Sequence, residues 1–151
     1  MRRCPLVLLL VLALGACSRA QNDRTYARDL AAAHASADRA ASDEDARAAI
    51  RELQRIFDLP PPPGKEAALL RQDAADRIAR SYLRLREPAA ALTWTQRALA
   101  ESEDATVLRA ALLITEADAL EALGRRDEAR AALMSALETN QTLLHVELEN
   151  P

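Results

Sequence analysis

Ala122-Leu123-Gly124-Arg125-Arg126-Asp127-Glu128-Ala129 reads as a tight turn between two helices, and the rest of the fold can be read outward from it. Gly124 is placed as the residue just past a helix end, where the backbone turns left-handed and a side chain is a liability. On the upstream side, Leu108, Ala111, Leu112, Ala119, Leu120 and Leu123 recur at helical spacing. On the downstream side, Ala129, Ala132, Leu133, Ala136 and Leu137 do the same.

The same alternation of helix and break runs back through the chain. Leu69, Ala75, Ile78, Ala79, Tyr82 and Leu85 predict a helix that ends before Pro88. Pro88 suits the first turn of the next helix, where a missing N–H costs nothing. That helix carries Ala91, Leu92, Thr95, Ala98 and Leu99, and Glu101 to Asp104 is expected to supply the following turn and cap. Earlier, Tyr26, Leu30, Ala33 and Ala37 share one face. Ala46, Ala49, Ile50, Leu53 and Phe57 share another, after a cap and first-turn acids at Ser42-Asp43-Glu44-Asp45. Pro60 to Pro63 and Gly64 force a stop and favour a stiff, extended connector. Beyond Asn140, Leu143, Leu144, Val146 and Leu148 are expected to form a tail or a short capping helix.

Composition agrees with an all-α chain. Half of the 151 residues are apolar but only 3% are aromatic, and there are three glycines, so a turn-rich β architecture is disfavoured. Lys65 is the sole lysine, and no basic stripe interleaved with aromatics marks a nucleic-acid surface.

The N-terminus carries an address. Met1-Arg2-Arg3 is a short positive region, and Leu6 to Leu14 is an apolar run too short to span a bilayer. Leu14-Gly15-Ala16-Cys17 resembles the lipobox of bacterial lipoproteins. The resemblance implies a leader over 1–16, diacylglycerol on the Cys17 thiol and a lipidated tether over 17–24. Two or more acyl chains make such anchoring stable. An ordinary signal peptide cleaved after Ser18-Arg19-Ala20 is the alternative. Without the leader, 18 basic residues face 23 acidic ones, a net charge of −5. Cys4 would leave with the leader and Cys17 would be alkylated, so no thiol remains for a disulfide or redox site. Ser18 with no Asp after the cysteine implies, by the same resemblance, the outer membrane of a two-membrane cell.

The helical part resembles the tetratricopeptide repeat (TPR) family. Its pattern is matched by Ala75, Ile78, Ala79 and Tyr82, then Ala91, Thr95 and Ala98, and again by Leu113, Glu116, Ala117 and Leu120, then Ala129, Leu133 and Ala136. A weaker match runs over Leu30, Ala33, His34 and Ala37, then Ala46, Ile50 and Leu53. The resemblance implies a short right-handed solenoid of about three antiparallel hairpins. They would cover 25–58, 66–104 and 105–138, with a connector at 59–65 and the tail at 139–151. The sequence departs from the pattern in several ways. Ala46 to Ala91 is 45 residues and Ala91 to Ala129 is 38, against roughly 34 in the family. Asp58, Glu103 and Gln141 stand where the family has proline, and His34 holds a small-residue position. Glu116 replaces a buried leucine, which argues for a shifted helical phase, because a buried unpaired carboxylate is costly.

No catalytic or metal constellation is visible, and no cofactor is implied. His34 and His145 are far apart in the chain and lack ligand-spaced companions, while Asp73, Asp76, Arg77 and Arg80 read first as a solvated face with ion pairs. The resemblance places the first helix of each hairpin along a concave surface. That gives Asp73, Asp76, Arg80, Leu83 and Arg84 from the middle hairpin, and Ile114, Asp118, Glu121 and Ala122 from the last. Arg28, Ala31 and Asp38 come from the first. The family's clamp for chaperone tails uses Lys and Asn at such positions, and no Asn stands at them in this chain. Arg80 and Arg84, one turn apart, suit an acidic peptide segment. Trp94 either packs between hairpins or joins a partner contact. The expectation is a membrane-tethered module for an unidentified envelope protein, bound to the bilayer through acylated Cys17. The alternative is a structural lipoprotein whose copies pair through an Ala-rich face and the tail.

Overall fold

The computed structural model describes residues 24–60 and 66–149. The expected leader, Cys17 with the expected tether up to residue 23, residues 61–65 of the expected connector and residues 150–151 of the expected tail lie outside the described residues. Within them the chain is all-α, with no strand. Helix α1 covers 24–39, α2 Asp43–Phe57, α3 Glu66–Arg84, α4 Pro88–Leu99, α5 Val107–Ala122 and α6 Arg126–Glu149. Arg24, assigned above to the tether, is helical.

Local chemistry sets the boundaries. The Ser42 hydroxyl accepts the Asp45 backbone N–H at 3.2 Å, and the Asp45 carboxylate accepts the Ser42 N–H at 3.2 Å, a reciprocal cap for α2. Pro88 opens α4. The α5 cap is Thr106, whose hydroxyl accepts the Arg109 N–H at 3.0 Å, not a residue of Glu101–Asp104. Those residues instead belong to a loop fastened from below. Gln72, buried on α3, donates to the carbonyls of Ala98 and Ser102, and Arg109 donates to Leu99 and Ser102.

The two later turns are copies of one another at an offset of 38 residues. In the first, the N–H of Glu87 reaches the Tyr82 carbonyl and that of Arg86 reaches Leu83. In the second, Arg125 reaches Leu120 and Gly124 reaches Glu121. Both are six-to-one and five-to-two closures, which need a left-handed residue after the helix. Gly124 supplies it at φ 76° and Arg86 at φ 59°. The arginine therefore carries a strain that the glycine does not.

Two apolar clusters form the core. In one, Tyr26, Leu30, Ala33 and Ala37 of α1 meet Ile50, Leu53, Ile56 and Phe57 of α2 and Ala74, Ala75 and Ile78 of α3. In the other, Ala79 of α3, Ala91 and Leu92 of α4, Ala117, Ala119 and Leu120 of α5, and Ala129 and Ala132 of α6 pack together. Alanine at these contacts lets backbones approach closely. Trp94 bridges the clusters, with its ring edge-on to Phe57 at 5.2 Å and the Arg97 guanidinium over both rings. It is a packing residue.

Two expectations are corrected. Leu113, Ala117 and Leu120 are all buried, so α5 keeps its phase, and Glu116 is half-buried in that layer instead of being rotated out. Its carboxylate is bonded to the Gln96 side chain, and burial holds its pKa above the ordinary carboxylate value. The tail is not a separate capping helix either. No glycine or proline interrupts 126–149, so α6 runs unbroken for 24 residues, about 36 Å against about 24 Å for α5. Its buried face is Ala129, Ala132, Ala136 and Thr139, while Leu133 and Leu137, expected in the core, are half exposed. The Ala129, Ala132 and Ala136 side of α6 is thus packed within the chain.

Arg86→Gly is expected to raise stability by about 1 kcal/mol and Gly124→Ala to lower it by about as much, since a Cβ at 124 meets no atom and only backbone strain is added. Urea midpoints of the two variants, at unchanged slope, measure both.

Candidate binding groove

Helices α1, α3 and α5 are joined by polar contacts on one side of the molecule. Arg77 of α3 donates to Asp38 of α1 at 2.7 Å and lies 3.6 Å from Asp73. His34 Nδ1 of α1 is 3.3 Å from Asp73 Oδ2. Thr115 of α5 donates to Asp76 Oδ1 at 2.7 Å, and Arg80 Nε holds the other oxygen of Asp76 at 2.7 Å. Asp76 is nearly buried, so these two donors meet the requirement that a buried carboxylate be fully bonded.

Above these contacts lies a groove of about 500 Å³. Its floor is the outward face of α3, where Asp73, Asp76, Arg77, Arg80, Ser81 and Arg84 follow at three- and four-residue spacing. Ala37 and Asp38 of α1 form one wall, and Leu108 and Ala111 of α5 form the other. The opposite face of α3 is the apolar one described above. One helix therefore supplies both the core and the floor.

Of the residues singled out from the sequence, Asp73, Asp76, Arg80 and Arg84 meet here, with Asp38. Leu83 does not. It packs against the Ala79, Ala91 and Leu120 cluster, where an apolar side chain is better placed than in a charged groove. The groove reaches only the N-terminal part of α5, and Asp118 and Glu121 are exposed farther along that helix, outside its lining. Ile114, Ala122, Arg28 and Ala31 are likewise outside it, Arg28 being paired with Asp29. Arg77, read from the sequence only as part of an ion-paired face, and Ser81, not singled out at all, also line the groove, and both share the helical period of Asp73, Arg80 and Arg84. The intrahelical ion pairs that the sequence suggested exist, and each also ties into a neighbouring helix.

The charges are balanced but not evenly committed. Arg77 serves two carboxylates, whereas the Arg84 guanidinium donates to the carbonyls of Ala37 and Ala40 at the end of α1. There it complements the negative end of the helix dipole. Arg80 spans Asp76 with more than half its side chain exposed. The pair presents fork-shaped donors one turn apart, a geometry that suits carboxylates.

No family model matches the chain, and neither a curated protein nor a solved structure matches it. Among the described residues, no cluster of His, Cys, Asp and Glu could hold a metal ion, and no helix is long and apolar enough to cross a membrane.

His34, in contact with Asp73 of the groove floor, has a pH-dependent consequence. Burial pushes its pKa below the ordinary 6.5, against the pull of Asp73. Its Nε2 is buried without a partner. The unfolded chain then binds a proton near pH 6.5 that the folded chain refuses, so stability falls as pH drops through that value. In His34→Gln this segment of the stability profile flattens, as measured by denaturation between pH 7.5 and about 5.

Proposed function

We propose that the protein is a membrane-anchored envelope lipoprotein that holds a partner protein, using a TPR-like helical groove as the docking surface. In this reading the three helix pairs are successive turns of a short right-handed solenoid, α1, α3 and α5 line its concave side, and acylated Cys17 fixes the module to the bilayer, at the outer membrane of a two-membrane cell. The single observation that carries it is the groove itself: three first helices contribute to one surface, and its floor presents Arg80 and Arg84 beside an apolar wall of Leu108 and Ala111. Such a site favours an extended or helical segment with acidic side chains one turn apart and small apolar residues between them. The repeated turn at a 38-residue offset supports the repeat reading, because stacked units need the same exit angle each time. The lipobox at Leu14–Cys17 supports the address.

Capture from detergent-solubilised envelopes of the native host tests it. A partner retained by the wild-type chain is expected to be lost, or weakened at least tenfold, by Arg80→Ala with Arg84→Ala at unchanged helicity, a loss of about 1.4 kcal/mol or more. Cys17→Ala is expected to move the protein to the soluble fraction while leaving capture intact. Undiminished capture by the double variant would contradict the groove, and membrane retention of Cys17→Ala would contradict the tether.

A further inference from the structure

A set of polar contacts ties the end of α1 to α3 beside the groove. His34 Nδ1 lies 3.3 Å from Asp73. Arg77 donates to Asp38 at 2.7 Å, and Arg84 reaches the carbonyls of Ala37 and Ala40 at 3.5 and 3.3 Å. These partners fall within residues 34–40, the last turns of α1 and the residue after it, which also supply Ala37 and Asp38 to the groove wall. Two of the ties are weak in themselves: the Arg84 bonds are long, and Asp38 is mostly exposed.

His34 is the member of this set whose charge changes between about pH 5 and 8. A carboxylate only accepts, so the contact with Asp73 puts the neutral ring's proton on Nδ1 and leaves a lone pair on Nε2. Nε2 is buried and meets no hydrogen-bonding group. A lone pair is tolerated there, but a second N–H would be a buried donor with no acceptor. The surroundings do not offset that. Burial opposes the proton most strongly, Asp73 attracts it, Arg77 repels it and Asp38 attracts it least. Arg77 already serves both carboxylates. From α2, Ala49, Ile50 and Leu53 are turned to the same core, with no charge among them. The proton is therefore taken up where Nε2 meets water. Lifting the end of α1 off α3 achieves this, while Tyr26 and Leu30, two turns and one turn earlier, stay in the apolar cluster.

We propose that His34 is an acid-sensitive latch on the groove: its protonation frees residues 34–40 of α1 from α3, displaces the wall of Ala37 and Asp38, and releases Arg77 and Arg84 from their α1 partners. Linkage fixes the sign. The latched arrangement refuses a proton that the open one accepts, so a falling pH shifts the balance toward the open one. That the groove docks a partner is the reading above, and only the consequence for docking, weaker retention in acid, rests on it. The latch itself is a property of α1 and α3 and is tested with no partner present.

Released from α3, two terminal helical turns have too little packing to stay helical, so amide exchange reports the opening. It is measured on the full chain in detergent micelles at about pH 7.5 and about pH 5.5, corrected for the pH dependence of the chemical step. Protection of Ala33 to Ala37 is expected to fall several-fold at the lower pH and to stay well below that of Ala74 to Ala79, because α1 opens without the rest of the domain. His34→Gln, neutral at both values, is expected to remove the fall. Glu116 cannot imitate it: its buried carboxyl takes a proton more readily folded than unfolded, which stabilises the fold in acid. In the wild-type chain the His34 ring, followed by its own resonances, is expected to protonate below the ordinary 6.5. The latch is overturned if α1 protection is the same at both pH values, if α1 exchanges only as slowly as α3, if His34→Gln keeps the fall, or if the wild-type ring protonates at or above the ordinary value. A chain that opens in acid yet captures no partner keeps the latch and loses the docking reading.

Discussion

Helix α3 is the element on which everything else leans. Ala74, Ala75, Ile78 and Ala79 are fully buried along one side of it, and α2, α4 and α5 all pack against it. That density is possible because three of the four are alanines. A larger side chain at any of them would force neighbouring backbones apart, and overpacked positions cost about 1–3 kcal/mol. The close approach also places the other side of α3 within reach of α1 and α5, where Asp73, Asp76 and Arg77 bond across to His34, Thr115 and Asp38. Core and groove are therefore two consequences of one packing distance.

That coupling explains why the groove is polar yet ordered. Its carboxylates are tied down by groups from neighbouring helices, and Arg84 is anchored on the end of α1. Surface ion pairs taken singly contribute little. Asp76 differs, because it is nearly buried with two donors, and removing either leaves a desolvated charge. The groove is pre-formed, and under the proposed reading a partner segment would not have to order it.

Much of the helix pattern could be read from the amino-acid order because its signals are local. Pro88 and Gly124 mark a start and a stop by backbone chemistry, and Ser42 marks a cap. The periodic faces of α1 and α2 are buried where their spacing put them. What escaped was decided by contacts distant in the chain. Arg86 is a local exception: it adopts the conformation of Gly124 because the closure of Glu87 on Tyr82 forms around it, and nothing in its own side chain announces that. Glu116 stays in the packed layer because Gln96 of α4 reaches it. Leu83 left the groove, and Leu133 and Leu137 left the core, because neighbouring helices determine which edge of an apolar face is covered. Four of the proposed groove residues lie together because they share α3. Asp118 and Glu121 do not, because the groove ends before their part of α5.

The most direct test of this account is residue-resolved amide hydrogen exchange on the native chain. If α3 is the support for its neighbours, the amides of Ala74 to Ala79 exchange slowest of all, through opening of the whole domain, while those of Leu144 to Leu148 exchange orders of magnitude faster. Exchange in α3 as fast as at the end of α6 would contradict it.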